Sequence, residues 1–146
     1  MGSRAATCRS STRRLMAAIL LDSTVVVDIL RGRPRTLARL DGLEASGDVP
    51  YVCAVTIEEV SCGMLPRERG AADVLFAGLA VAPLGMAEGR LAGFWRRTFR
   101  RRGKTLTQSD CLIAAAAVGI GGSLATGNPK DFPMPGIELE HWPAGE

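Results

Sequence analysis

The chain is poor in the residues that soft metal sites and disulfide frameworks require. It has one histidine, His141, and four cysteines, Cys8, Cys53, Cys62 and Cys111, with no Cys-x-x-Cys pair among them. That pattern argues against a zinc site and against a disulfide scaffold, and it suits a reducing cytoplasm. Cys62 and Cys111 stand in apolar sequence and are expected in the core. Aromatics make up 5% of the residues, and no apolar run approaches the length needed to span a membrane, so no membrane part is expected. Acids are missing altogether from residues 89–109, where seven basic residues stand instead.

What is present suits one α/β domain. A chain of 146 residues with 47% apolar content can build a layered core without staples. The net charge of +3 is uneven: Arg4, Arg9, Arg13 and Arg14 lie in the first fifteen residues with no acid, which leaves −1 for the remainder. Residues 1–15 are expected to form a disordered basic arm preceding a domain over residues 16–146. The arm reads either as a contact for nucleic acid or as residues upstream of a start at Met16 that do nothing. The second reading is favoured because Met16 sits where the first strand begins. A secretory signal is not indicated, since "AAILL" is short and Asp22 interrupts it.

Strand-like and helix-like segments alternate. "AAILL" reads as a strand buried on both faces, and "STVVVDILRG" as a helix capped by Ser23 and stopped by Gly32. A helix ending at Gly47 follows, then the strand "VPYVCAV", a helix opened by Thr56, and a further helix begun near Pro66. "VAPLG" is a short strand; residues 86–103 form a helix with Leu91, Phe94, Trp95 and Phe99 on one face. "TQSDCLIAAAAVG" is a helix capped by Thr107 and closed by Gly119, and "GSLAT" and "IELE" are late strands. Alternation of this kind implies a mostly parallel sheet of four to five strands covered on both faces, a three-layer α/β/α fold. In such sheets the working site lies beyond the carboxyl ends of the strands.

Acids recur at those positions. Asp22 ends the first apolar run, Glu58 and Glu59 follow the second strand, Asp110 opens the alanine-rich helix, and Asp131 follows a late strand. Each of Glu59 and Asp110 alone could be an ordinary helix-start acid. Gathered at one sheet edge, they would raise one another's pKa, a penalty that a divalent cation removes. Oxygen ligands without histidine or cysteine suit Mg²⁺ or Mn²⁺, and the chemistry such ions support at phosphodiesters is hydrolysis. Asp28 is expected to be a structural partner for an arginine, with Arg31 in reach.

Four segments carry a resemblance. "ILLDSTVVVDILRG", "AVTIEEVSCG", "LTQSDCLIAAAAV" and "LATGNPKDFPMPGIELEHW" resemble, in order, the motifs of PIN-domain ribonucleases, particularly the VapC-type toxins of bacterial toxin–antitoxin pairs. The resemblance implies a PIN-like fold and a metal-dependent endoribonuclease. It implies Asp22, Glu59 and Asp110 as the metal-holding catalytic acids, and a fourth position served either by Asn128, through its carbonyl oxygen or waters, or by the charge of Asp131 three residues later. Glu59 is chosen over Glu58 because the family pattern ends E-x-x-x-G, here at Gly63. Ser23 and Thr126 match the family's hydroxyl positions, and Asn128 stands where some members carry an acid. A homodimer and a small cognate antitoxin are implied as partners, with residues 37–43 and 74–79 as candidate docking helices whose default reading is core packing.

The basic run supplies a substrate contact of its own. Arg96, Arg97, Arg100, Arg101, Arg102 and Lys104, leading into Asp110, are expected to draw in the phosphates of RNA, while the aromatics among them are expected in the core. Two rivals remain: a catalytically silent PIN-like module that binds RNA or protein, and a receiver-type phosphoacceptor domain. The second is poor, since its acid would be Glu59 on a helix and its lysine Lys130.

Overall fold

A computed structural model describes residues 17–146; the basic arm of residues 1–15 and Met16 lie outside the described residues. The apolar run forms β1 (Ala18–Leu21), and its alternation divides the core. Leu20 faces one side of the sheet with Cys53 and Leu124, while Ile19 and Leu21 face the other with Val52 and Ala125. Both sides are buried, which is why the strand reads as unbroken apolar sequence.

The order along the chain is β1, α1 (Ser23–Leu30), α2 (Pro34–Ser46), β2 (Val49–Cys53), α3 (Ala54–Gly63), a 3₁₀ turn, α4 (Arg69–Ala77), β3 (Ala80–Ala82), α5 (Met86–Arg101), α6 (Gln108–Gly119), β4 (Ser123–Thr126), a second 3₁₀ turn (Pro129–Asp131) and β5 (Glu138–His141). The strands pair in the order β3-β2-β1-β4-β5, and every pairing is parallel. Trp95 of α5 and the buried Ala114, Ala115, Ala116 and Ala117 of α6 belong to the core on one face. Val25, Val26 and Ile29 of α1, Leu43 of α2 and Val60 of α3 belong to the other. The result, among the described residues, is three layers, α/β/α, with five parallel strands and six helices. Small alanines let α6 lie close to the sheet, a fit that larger side chains would spoil.

Two glycines do work that other residues could not. Gly47 closes α2 at φ 78°, returning its N–H to Glu44. Gly122 passes so close to β1 that a Cβ would collide with the backbone carbonyl of Ala18.

The structure corrects several local expectations. Asp22, not Ser23, is the N-cap of α1: its backbone is extended and its Oδ1 accepts the Val25 N–H at 3.0 Å. Thr56 does not open α3, which starts directly from β2 at Ala54; Thr56 is fully buried, 3.8 Å from the Cys53 sulfur. Cys62 is exposed rather than in the core, whereas Cys111 and Cys53 are buried. Phe94 is 63% exposed. Leu91, Trp95 and Phe99 repeat every four residues and turn inward, but Phe94 stands about 100° round the helix from Trp95. Asp28 is buried and structural, yet its partner is the Gly145 N–H at 2.9 Å and not Arg31.

Candidate active site

Strand order reverses its direction of growth at β1: β2 lies on one side and β4 on the other. The crevice beyond the carboxyl ends of β1 and β4 is therefore the switch point, where α/β sheets bind their ligands. Asp22 follows β1 directly, and the turn carrying Asn128 and Asp131 follows β4. Since α6 returns toward the sheet to feed β4, its N-terminal turn, with Asp110, opens at the same edge. Helix α3 leaves the end of β2 and carries Glu59 in its second turn.

Asp22 is 3% exposed, and burial raises its carboxyl above the ordinary value. Opposing hydrogen bonds come from Thr126, from Thr24 and from the Val25 and Thr24 N–H groups. The Thr24 hydroxyl donates to Asp22 Oδ1 at 2.6 Å and accepts the Gly127 N–H at 2.8 Å. Thr126 in turn accepts the Asn128 N–H at 2.9 Å. The hydroxyls thus join the end of β1 to the turn after β4. Sequence reading named Thr126 but missed Thr24, although a hydroxyl two residues after a capping acid is well placed to reach back.

Asp110 is half-buried, and its carboxyl is also raised, first by burial and then by the negative charges of Asp131, Glu59 and Asp22; its bond with Thr107 opposes the rise. The Thr107 hydroxyl caps α6 as expected, accepting the Asp110 N–H at 3.1 Å. Asp131, Glu59 and Asp22 thus all act on the carboxyl of Asp110. Glu59 is exposed, and its Oε1 accepts the Ser23 hydroxyl at 2.6 Å, so Ser23 serves the second acid and not the helix cap. Asn128 and Asp131 are exposed at the rim.

The donors are hard oxygens that repel one another, which fits Mg²⁺ or Mn²⁺ in kind. As the side chains stand, no three His, Cys, Asp or Glu among the described residues are arranged to hold a metal ion. Mg²⁺ keeps most of its waters and binds through one or two carboxylates together with substrate phosphates, so a closed cage is not required.

In the basic run that precedes Asp110, Arg97, Arg100, Arg101, Arg102 and Lys104 are exposed. Arg96 is not: it is half-buried, its Nε is cut off from solvent with no hydrogen-bond partner among the described residues, and its charge is felt at the Cys111 thiol. Burial still pushes that thiol up to about 11, so Cys111 remains a protonated core residue. A cleft of about 610 Å³ opens between α1 and α3, lined by Val27, Leu30, Arg31, Glu59, Val60 and Leu65 among others. Among the described residues no helix is long and apolar enough to cross a membrane.

Residues 19–133 match the PIN domain family model. The chain is 36% identical over 118 residues to Ribonuclease VapC10 of Mycobacterium tuberculosis, covering 80% of this chain and 86% of the relative. It is 29% identical over 115 residues to Ribonuclease VapC19 of the same species, covering 79% and 92%. Its fold superposes with a TM-score of 0.78 on a chain from the crystal structure of VapBC2 from Rickettsia felis bound to a promoter DNA fragment, at 20% identity over 86% of this chain and 98% of that one. With the sheet order, the acids at its switch point and these likenesses together, the chain belongs to the PIN-domain family.

Proposed function

We propose that this chain is an endoribonuclease toxin, neutralised by a cognate antitoxin, that works with Mg²⁺ or Mn²⁺ held by Asp22, Glu59 and Asp110 with Asp131 assisting. The observation that carries this reading is the raised Asp110 carboxyl, which feels the charges of Asp131, Glu59 and Asp22 at one sheet edge. Relatives named as ribonucleases support the hydrolytic class.

A bound divalent ion supplies water activation and charge stabilisation at the phosphodiester. The chain's own residues prepare for it. Thr24 and Thr126 donate to Asp22 and favour its charged form against the pull of burial. Ser23 holds Glu59, and Thr107 holds Asp110 at the start of α6. Asn128 and Asp131, at the rim, stand where a phosphate or its waters enter. The exposed arginines of residues 97–102 and Lys104 raise the local concentration of a polyanion beside this acidic centre.

For the partner, one solved neighbour is a toxin–antitoxin complex from Klebsiella pneumoniae. Support in this chain is the cleft between α1 and α3, apolar along Val27, Leu30, Val60 and Leu65 and ending at Glu59. An apolar antitoxin segment lying there, with a cation reaching the acids, would block metal and substrate together. The expected helices at residues 37–43 and 74–79 are less suited, because Leu40 and Leu43 of the first and Leu75, Phe76 and Leu79 of the second pack against the core, leaving Leu37 and Val74 exposed. A homodimer remains part of the proposal.

The test is incubation of the purified protein with total cellular RNA, with Mg²⁺ or Mn²⁺ and with EDTA. Discrete metal-dependent fragments are expected. RNA that is bound yet left intact in every condition would favour the catalytically silent binding module.

A further inference from the structure

We propose that the outward face of α5 is a binding surface for single-stranded RNA, with Phe94 as a platform for one base and Arg90, Arg97 and Arg101 holding the phosphates on either side. This inference rests on the nuclease reading and extends it to the form of the substrate.

Helix α5 buries Ala92 and Trp95 and half-buries Leu91 and Phe99, which leaves the opposite face to solvent. Arg90, Phe94, Arg97 and Arg101 follow one another there at spacings of four, three and four, so they form one row about 16 Å long. Phe94 is 63% exposed in the middle of it. The only acid of α5, Glu88, is turned away: it accepts the Gly85 N–H at 3.3 Å and lies against Gly119. Among the described residues the salt bridges engage only Arg35 and Arg39, so the row is aromatic and cationic with its arginines unpaired there.

Other residues of the helix are committed elsewhere. Phe99 is half-buried and covered by the Arg102 guanidinium, 5.9 Å from its ring centre. Arg96 faces inward toward Cys111. The row ends near the reacting groups: α5 packs against α6, and only residues 102–107 separate its C-terminus from the helix whose first turn carries Asp110.

An aromatic ring between cations is what a flexible single strand uses, since its unpaired bases stack while its phosphates meet arginine. Duplex RNA keeps its bases stacked on one another and gives Phe94 nothing to stack on. A second copy of this chain is a poorer occupant, because it would bring its own arginines against these three.

The test is fluorescence anisotropy of the full chain in EDTA with cleavage silenced by Asp110→Asn, using a labelled single-stranded RNA and the matching duplex. Phe94→Ala should weaken single-strand binding by roughly five- to a hundredfold, Phe94→Trp should keep it, and Phe94→Leu should behave like alanine. Each of Arg90→Gln, Arg97→Gln and Arg101→Gln should lower the slope of log affinity against log salt by about 0.7. Phe94 is a surface residue, so these variants fold. If the parent binds RNA and Phe94→Ala binds equally well, or loses duplex and single strand alike, the platform is wrong while the nuclease reading stands. A Phe94→Ala variant that leaves RNA binding intact but changes the oligomeric state by light scattering makes this face a self-association surface instead. A parent that binds no RNA contradicts the nuclease reading itself, and the platform falls with it.

Discussion

The Thr24 hydroxyl stands between Asp22 and Gly127, donating to the carboxylate at 2.6 Å and accepting the backbone N–H at 2.8 Å. A hydroxyl has a single proton. Because an N–H already occupies its accepting side, that proton is directed at Asp22. Thr126 is arranged in the same way, with the Asn128 N–H on its oxygen and its own bond to Asp22. Two backbone N–H groups after β4 thereby fix two donors on a buried acid at the end of β1.

Replacing Thr24 tests that arrangement. Thr24→Val keeps the shape, removes a donor from Asp22 and leaves the Gly127 N–H without its partner. A loss of about 1–3 kcal/mol in urea unfolding is expected, and cleavage falls by roughly tenfold or more. Thr24→Ser restores both. A valine variant with parental stability and rate would show that the bond is incidental.

Asp110 gives a prediction with a definite sign. Its native carboxyl is raised above the ordinary aspartate value by burial and by three neighbouring acids, so carrying the charge opposes folding at neutral pH. In EDTA, Asp110→Asn should melt a few degrees above the parent at pH 7. As pH falls through the raised native value toward the unfolded one, the parent takes up its proton preferentially in the folded state. The advantage of the variant therefore shrinks over that window. An advantage that is absent at neutral pH, or that grows on acidification, would contradict the electrostatic picture.

Two glycines separate steric need from helix propensity. Gly122→Ala drives a methyl group into the Ala18 carbonyl where β1 pairs with β4, and should cost roughly 1–3 kcal/mol or more. Gly42→Ala, inside α2 with open space around it, should stabilise by about 0.5–1 kcal/mol. Thermal melts of the two variants, compared with the parent, should move in opposite directions.

Much of the layout was legible because local and global signals agree. The β1 run, the Thr107 cap and the Gly47 stop each serve the element that the sequence suggests. The failures have a common source, which is that sequence spacing does not show where a side chain turns. Ser23 and Asp22 are both good caps; the backbone leaves the strand one residue earlier than a serine cap requires, and Ser23 is freed to hold Glu59. Phe94 looked like a neighbour of Trp95, yet adjacent helical residues diverge by about 100°. Asp28 has arginine within reach along the chain, but the C-terminal segment folds back to give it Gly145, a partner 117 residues away. Thr24 needed the same long-range knowledge, since its second partner comes from the far end of β4.

The measurement that bears most directly on the account is the metal-dependent cleavage rate of a single RNA target by the parent, Asp22→Asn, Asp110→Asn and Glu58→Gln, each confirmed to be folded. The account predicts that both asparagine variants lose cleavage by at least about a hundredfold while Glu58→Gln stays near the parent. Parental rates in Asp22→Asn and Asp110→Asn would contradict it, because the carboxylates gathered at the switch point would then not be the machinery of the reaction.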